Sequence, residues 1–400
     1  MKFNYRHTTY ACYLGCITQA ITVNLAPLLF VTFQNTFQIS MQQLGLLIMV
    51  NFGTQILADL IVAKIADRIG YRQCVTFAHV CSFVGLIGLG VFPYLLPNAF
   101  VGLAMSTIIC AIGGGVVEVL LSPIVEAIPN EEKSAAMSLL HSFYSWGQVG
   151  VVVLSTVYFS WIGIAHWRWL PMLWALVPLV NIVLFLLVPI NTFGAEETTV
   201  PMWKLFGIKL FWVFLILMVC SGAAELAMSQ WASMFAETGL KVSKTVGDLL
   251  GPCAFALLMG ISRAFYGKYG GKIKLTNYIM VSSILCIGSY LLAVFSPVPI
   301  LGLAGCALCG LSVGIMWPGV LSMSARYMPQ GGTAMFGLLA LSGDIGCTVG
   351  PGLVGFVSGA VSADIGLKAG LLCAIVFPIF MTIAVFLLKR RHSSTYGLDQ

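Results

Sequence analysis

The sequence predicts an all-α membrane protein of twelve transmembrane helices, and three observations predict it. Of its 400 residues, 59% are hydrophobic and 8% are charged, against about 25% charged in a soluble domain. Apolar stretches of about 20 residues, enough to cross a bilayer as a helix, recur along the whole chain. These stretches lack the alternation of a β-barrel, which leaves helices to satisfy the backbone within the bilayer. The 20 basic and 14 acidic side chains are too few to coat a soluble fold of this size. That excludes a cytoplasmic globular enzyme, a secreted disulfide scaffold and a disordered chain. A large buried core would also raise hydropathy, but it does not require such long runs.

The spans run at about 9–34, 43–65, 73–95, 98–125, 134–160, 167–190, 209–235, 245–267, 274–296, 298–325, 332–359 and 364–388. Lys2 and Arg6 precede the first, but no small-residue cleavage site follows, so a retained helix is expected rather than a signal peptide. The second ends in Asp67-Arg68-Ile69-Gly70-Tyr71-Arg72, where Gly70 permits a tight turn into the third. The fourth carries Gly113-Gly114-Gly115, then Glu118 and Ser122-Pro123. Its glycines allow close helix approach, and Pro123 frees a carbonyl that can line a cavity. The fifth opens with His141-Ser142-Phe143-Tyr144-Ser145-Trp146-Gly147-Gln148. Trp161, Trp167 and Trp169 read as an interfacial belt. The longest polar segment, about 191–208, divides the spans six and six. The seventh carries Glu225 and ends near Gln230-Trp231, and Trp317-Pro318 interrupts the tenth. The eleventh holds Asp344 and a Gly/Pro run over 346–355, which reads as a kinked, closely packed helix.

Placing the N-terminus in the cytoplasm leaves Arg168, Lys241, Lys244 and Lys368 as the outside basic residues, with the rest, Arg263 included, inside. By the positive-inside rule both termini are then cytoplasmic, and the expected location is the cytoplasmic membrane. The halves resemble each other. Asp67–Arg72 and Gly267–Lys272 stand at an offset of 200, and Gly147-Gln148-Val149-Gly150 and Gly343-Asp344-Ile345-Gly346 at an offset of 196. The expected organisation is an N-terminal six-helix bundle over 1–190, a cytoplasmic central loop over 191–208, and a C-terminal six-helix bundle over 209–400 with a short cytoplasmic tail. Such a repeat puts the substrate path between two packed bundles.

Most of the twelve cysteines fall inside apolar runs. Cys306 and Cys309 form a CxxC without a second pair, so they read as packing rather than zinc ligands. The five histidines lack ligand spacing, which argues against an intramembrane metalloenzyme. No cofactor and no metal are expected. The basic residues are scattered, so no nucleic acid is expected either. The expected partners are a small-molecule solute, protons and the lipid bilayer, and the chain is expected to be a monomer.

The segment Asp59-Leu60-Ile61-Val62-Ala63-Lys64-Ile65-Ala66-Asp67-Arg68-Ile69-Gly70-Tyr71-Arg72 resembles the cytoplasmic loop signature of the major facilitator superfamily, which joins the second and third helices. Ala63 replaces its leading Gly and Tyr71 one of its Arg positions. With the spans, central loop and repeat, the resemblance covers the whole chain. It implies two pseudo-symmetric six-helix bundles, and a cytoplasmic gate formed by Asp59, Lys64, Asp67, Arg68, Gly70 and Arg72. Asp67, on a helix end or an Arg, would hold the bundles together in the outward-facing state. Asp59 is expected to pair with Lys64 or Arg68.

An ionisable group deep in a bilayer is unfavourable by roughly 2.5–3.5 kcal/mol on insertion scales, so Glu118, Glu225 and Asp344, well inside spans, are the proton-coupling candidates. The Gly-rich stretch, Glu118 and Ser122-Pro123 resemble the fourth helix of the fucose:proton symporter branch, although that branch usually has Asn-Pro. The resemblance implies sugar recognition or proton coupling at Glu118. That branch often carries an acid midway along its first helix, where this chain has Gln19, Thr22 and Asn24. Either proton handling has moved to Glu225, or the protein is an uncoupled facilitator.

His141, Ser145 and Gln148 share one helix face, flanked by Tyr144. Sugars use such a face, because hydroxyls bond amides and carboxylates while C–H faces stack on rings such as Trp146 or Trp317. The solute-binding set is therefore Glu118, Gln148, His141, Asn24, Tyr144, Ser145, Trp146, Gln19 and Trp317. The expected function is alternating-access transport of a small polar solute, a sugar above others, by proton symport. A multidrug proton antiporter and a non-transporting sensor on a carrier fold are the alternatives.

Overall fold

The structure is a computed structural model that describes residues 3–128, 133–191, 202–269, 273–328, 331–362 and 365–396. Among the described residues all regular elements are helical, and twelve helical spans are long and apolar enough to cross a membrane. The chain is a multi-pass membrane protein. It divides into two compact units, Met1–Glu196 and Glu197–Gln400.

The first unit contains α1 (Tyr5–Phe37), α2 (Met41–Ala66), α3 (Tyr71–Leu95), α4 (Ala99–Glu126), α5 (Ser142–Ile162) and α6 (Trp169–Leu187). The second contains α7 (Lys209–Gly239), α8 (Lys244–Tyr266), α9 (Leu275–Phe295), α10 (Pro299–Tyr327), α11 (Met335–Ala360) and α12 (Gly366–Arg390). The regular helix of α7 ends at Ser229, a turn at Gln230-Trp231 interrupts it, and the span resumes to Gly239. The central segment read as a loop falls largely on 192–201, outside the described residues.

The repeat in the sequence is also a repeat of packing. Within each unit the first helix packs on the fifth, the second on the fourth, and the third on both the fourth and the sixth. The first and fourth of each unit are the most enclosed. In α1, α4, α7 and α10, 61–67% of the apolar stretch is buried, against 33–56% in the others.

Side chains close the helix ends, where backbone donors lack intrahelical partners. Asn4 and His7 form a capping box at the start of α1, and Ser40 and Gln43 do so for α2. Asn98 accepts from the Phe100 N–H at the start of α4. Gly70 makes the turn from α2 to α3 with φ +102°, a conformation that side-chain-bearing residues rarely adopt.

Proline explains most of the breaks. It lacks an N–H and collides with the carbonyl four residues earlier. Span α1 breaks at Leu25, ahead of Pro27, and α10 at Gly314-Ile315, ahead of Pro318. Span α6 breaks at Ala175, ahead of Pro178, and α12 at Ile375, ahead of Pro378. In α8, Pro252 sits within a π turn, Leu249–Cys253. Pro123 and Pro351 are absorbed in unbroken helices.

The twelve cysteines are free thiols, and all but Cys253 and Cys373 are buried. Cys309 lies 4.0 Å from Cys286 across α9 and α10, in a packing role. Trp161 and Trp169 are exposed as a belt requires, but Trp167 is buried against Phe33, Phe37 and Tyr94. A buried network ties three helices of the first unit. The His79 ring bonds the Val75 carbonyl through Nδ1 at 2.7 Å and the Asn181 amide through Nε2 at 2.8 Å. The same amide donates to the Ala11 carbonyl at 3.0 Å.

Arg72, expected in the gate, caps the end of α6 within its own unit. Its Nη1 donates to the carbonyls of Phe185 (2.7 Å) and Leu186 (2.9 Å), and its Nη2 to that of Val188 (2.8 Å). These are carbonyls that a helix end leaves without partners, and the cation complements the helix dipole. Arg72→Ala is expected to destabilise the protein by about 1.5–3 kcal/mol, the range for hydrogen bonds to a charged group. Thermal unfolding in detergent, followed by tryptophan fluorescence, checks this.

Candidate functional site

The first unit gathers a polar cluster around Glu118. This residue lies in α4, among the buried Val116, Val117, Leu120 and Leu121, yet its own side chain is exposed. The Gln19 Nε2–H of α1 donates to Glu118 Oε2 at 2.8 Å. The Gln55 Nε2–H of α2 donates to the same oxygen in a short contact. Among the described residues Oε1 receives no hydrogen bond.

Gly115 makes the cluster possible. A Cβ built there would lie 2.5 Å from Asp59 Oδ1, 2.7 Å from the Gln55 carbonyl and 2.9 Å from Ala58 Cβ. The bare backbone lets α2 come close enough for Gln55 to reach Glu118 and lays Asp59 against α4. Two oxygens of α2, Gln55 Oε1 and Asp59 Oδ1, are buried without a hydrogen-bond partner among the described residues. Gln55 was not among the residues singled out from the sequence. Its signal was available, since Gln55 and Asp59 stand at i, i+4 on one face of an apolar span.

The structure separates Asp59 from its expected partners. Lys64 and Arg68 are exposed, and neither pairs with Asp59. They stand five and nine residues further along, roughly 140° and 180° around the helix at about 100° per residue. Asp59 therefore belongs to the Glu118 cluster. The side chains of Asp67 and His141 lie outside the described residues.

Other first-unit candidates are placed unevenly. Asn24 is buried and donates to the Ala20 carbonyl of its own helix at 2.9 Å. Thr22 donates to the Gln19 carbonyl at 3.0 Å. Gln148 and Ser145 are buried on α5, where Gly147 seats α5 on Ile17 and Ala20 of α1. Tyr144 is half-buried against the core, and Phe143 stacks on Tyr13 with ring centroids 4.2 Å apart. Trp146 points away from Ser145 and Gln148 around the helix and is 61% exposed, so the structure does not bring it to them.

In the second unit, Glu225 of α7 lies 4.0 Å from the guanidinium of Arg263. Arg263, grouped above with the cytoplasmic basic residues, lies within α8. Its Nε–H donates to the Gly314 carbonyl at 3.0 Å, at the break that Pro318 imposes on α10. Asp344 is buried on α11 next to Gly343, and the Trp317 ring lies directly over Gly343. Trp317 is thus wedged between α10 and α11.

A further cluster was not anticipated. Lys244 Nζ lies 3.1 Å from both Glu237 Oε1 and Asp248 Oδ2, and Ser233 Oγ–H donates to Asp248 Oδ1 at 2.5 Å. Lys244, grouped above with the outside basic residues, begins α8 and forms an i, i+4 pair with Asp248. Among the described residues no three His, Cys, Asp or Glu side chains gather as metal ligands.

Chemically, the Glu118 cluster is a carboxylate anchored through one oxygen and open at the other. Oε1 can accept a hydroxyl or take a proton, while the amides hold the group in place.

Comparison with known proteins gives a consistent picture. The sequence profile of the Major Facilitator Superfamily matches residues 12–351. The membrane protein MosC of Rhizobium meliloti is 26% identical over 311 residues, which cover 76% of this chain and 73% of that protein. Similar folds include a bacterial homologue of the human lysosomal transporter Spinster, in an inward-facing and occupied conformation. It has a TM-score of 0.77 at 15% identity, over 96% of this chain and 97% of that one. A D-xylose–proton symporter has a TM-score of 0.77 at 12% identity over 96% of each chain. The nucleoside transporter NupG has a TM-score of 0.74 at 13% identity, over 95% of this chain and 98% of that one.

Gly115→Ala is expected to destabilise the fold by about 1–3 kcal/mol, the range for overpacking. Gly114→Ala is expected to be tolerated, because its Cβ would meet Gln55 Oε1 at an ordinary 3.5 Å. Thermal unfolding of the two variants side by side checks the contrast.

Proposed function

The chain belongs to the Major Facilitator Superfamily, and on that premise we propose that it carries a small polar solute, a sugar above others, across the cytoplasmic membrane by alternating access and proton symport. The observation that carries this reading is Glu118, an exposed carboxylate in the middle of α4 held by two amides on a single oxygen. The other oxygen is where a solute hydroxyl or a proton binds. Both are hydrogen-bond donors to a carboxylate.

Proton uptake at Glu118 also fits the physics of crossing. A carboxylate at bilayer depth is unfavourable by a few kcal/mol, and a proton neutralises it before the loaded site reorients. Glu225 is a weaker candidate for that role, because Arg263 faces it. Gln19 and Gln55 supply the amides that sugar hydroxyls pair with. A drug exporter would favour an apolar cavity around one acid, and three polar side chains converging here count against it.

The resemblance of Gly113–Pro123 to the fourth helix of the fucose:proton symporter branch supports this reading. The similar folds of a D-xylose–proton symporter and a nucleoside transporter agree with a hydroxylated solute. The distribution of Lys and Arg supports cytoplasmic termini.

A thermal-shift screen of monosaccharides and nucleosides on the purified protein is expected to find a stabilising sugar, because a ligand of the native state raises apparent stability by mass action. With that sugar in proteoliposomes, Glu118→Gln is expected to abolish accumulation driven by an inward proton gradient. Wild-type uptake is expected to fall as external pH rises. Uptake by the variant at the wild-type level, with the same pH dependence, would overturn the assignment of Glu118.

A further inference from the structure

The carrier reading places one acid at the centre of the first unit, and the structure puts a second beside it. Asp59 lies against α4 at Gly115, about one helical turn before Glu118. Gln55 stands one turn before Asp59 on α2 and donates through Nε2 to Glu118. Gln55 is only 4% exposed, and its Oε1 has no partner among the described residues. Turning the amide round would aim its carbonyl at the carboxylate, so the orientation is fixed.

The groups around the pair are acceptors or neutral. Helix α1 contributes Gln19 and the Cys16 thiol, α2 contributes Gln55, and α4 presents the backbone of Gly115. Among the described residues no Lys, Arg or His pairs with either carboxyl group. Two neighbouring carboxylates repel each other, and a cation shared between them removes that repulsion. Amide donors cannot supply the charge, so it comes from solution. Adjacent carboxylates characteristically share one proton. Asp59 thereby supplies from α2 the acid that the polar positions of α1 lack.

Building on the proton-coupled reading of Glu118, we infer that Asp59 and Glu118 act as one carboxylate pair that takes up a single coupling cation between α2 and α4. Asp59 is then a second coupling residue rather than part of a gate.

Infrared difference spectroscopy on the purified full-length protein tests this without a known solute, with the proton as probe. Acidification is expected to produce a protonated-carboxyl C=O band that is lost in Glu118→Gln. In Asp59→Asn the band is expected to be lost as well, or its midpoint to move by about one pH unit, a tenfold change in proton affinity. If Asp59→Asn keeps the wild-type band and midpoint while Glu118→Gln loses it, the pair is overturned and Glu118 stands alone. If Glu118→Gln keeps the wild-type band, the preceding assignment of Glu118 and the pair both fall. Removal of the band by sodium chloride, but not by choline chloride, would keep the pair and replace the proton with sodium. Asp59→Glu guards against a folding defect in Asp59→Asn. A changed midpoint supports the pair, and an unchanged one overturns it.

Discussion

The hydrocarbon core of a bilayer offers no hydrogen-bond partner, and most of this structure follows from that constraint. It makes the spans helical, because only then does each backbone group find a partner in its own segment. It makes each proline consequential, since a missing N–H leaves a carbonyl that something must satisfy. At Gly314 that something is Arg263, and at the end of α6 it is Arg72. It also limits polar side chains to places where they can be paired. Asn24, Thr22 and Thr156 bond carbonyls of their own helices, and His79 and Asn181 bond each other. Against that background the acceptor atoms left without donors on α2 are exceptions among the described residues, and they sit beside the exposed carboxylate of Glu118.

Much of this was legible in the sequence. Twelve spans follow from run length alone, because length and apolarity are the properties the bilayer selects. The repeat, visible as weak matches at offsets near 200, reappears as the same order of helix contacts in both units. Glu118 was legible because an acid inside an apolar run has few structural uses. The Gly70 turn was legible because few residues besides glycine hold a positive φ.

What was not legible depended on direction around a helix or on tertiary neighbours. Asp59 is near Lys64 and Arg68 along the chain but faces away from them, and only the packing of α2 on α4 shows where it points. Arg263 looked like one more positive loop residue, because nothing local reveals that the α10 break waits for it. Trp146 lies between Ser145 and Gln148 in sequence, yet helical geometry sends it to the other side. Gln55 was overlooked because a neutral amide in an apolar span carries no charge penalty to flag it.

With Glu118 as the proposed solute-binding group, its lopsided bonding has a consequence for selectivity. Because Gln19 and Gln55 both hold Oε2, the carboxylate is already oriented before any solute arrives. Immobilising a free Glu side chain opposes binding by up to about 1.5–2 kcal/mol, and here folding has already ordered it. A preorganised acceptor is also unforgiving, since a solute that offers no donor leaves Oε1 desolvated and unpaired. Sites of that kind reject analogues lacking the matching hydroxyl far more strongly than apolar pockets reject a missing methylene. On the proposed reading, a sugar would be told from its deoxy counterpart by the hydroxyl that Oε1 requires rather than by shape.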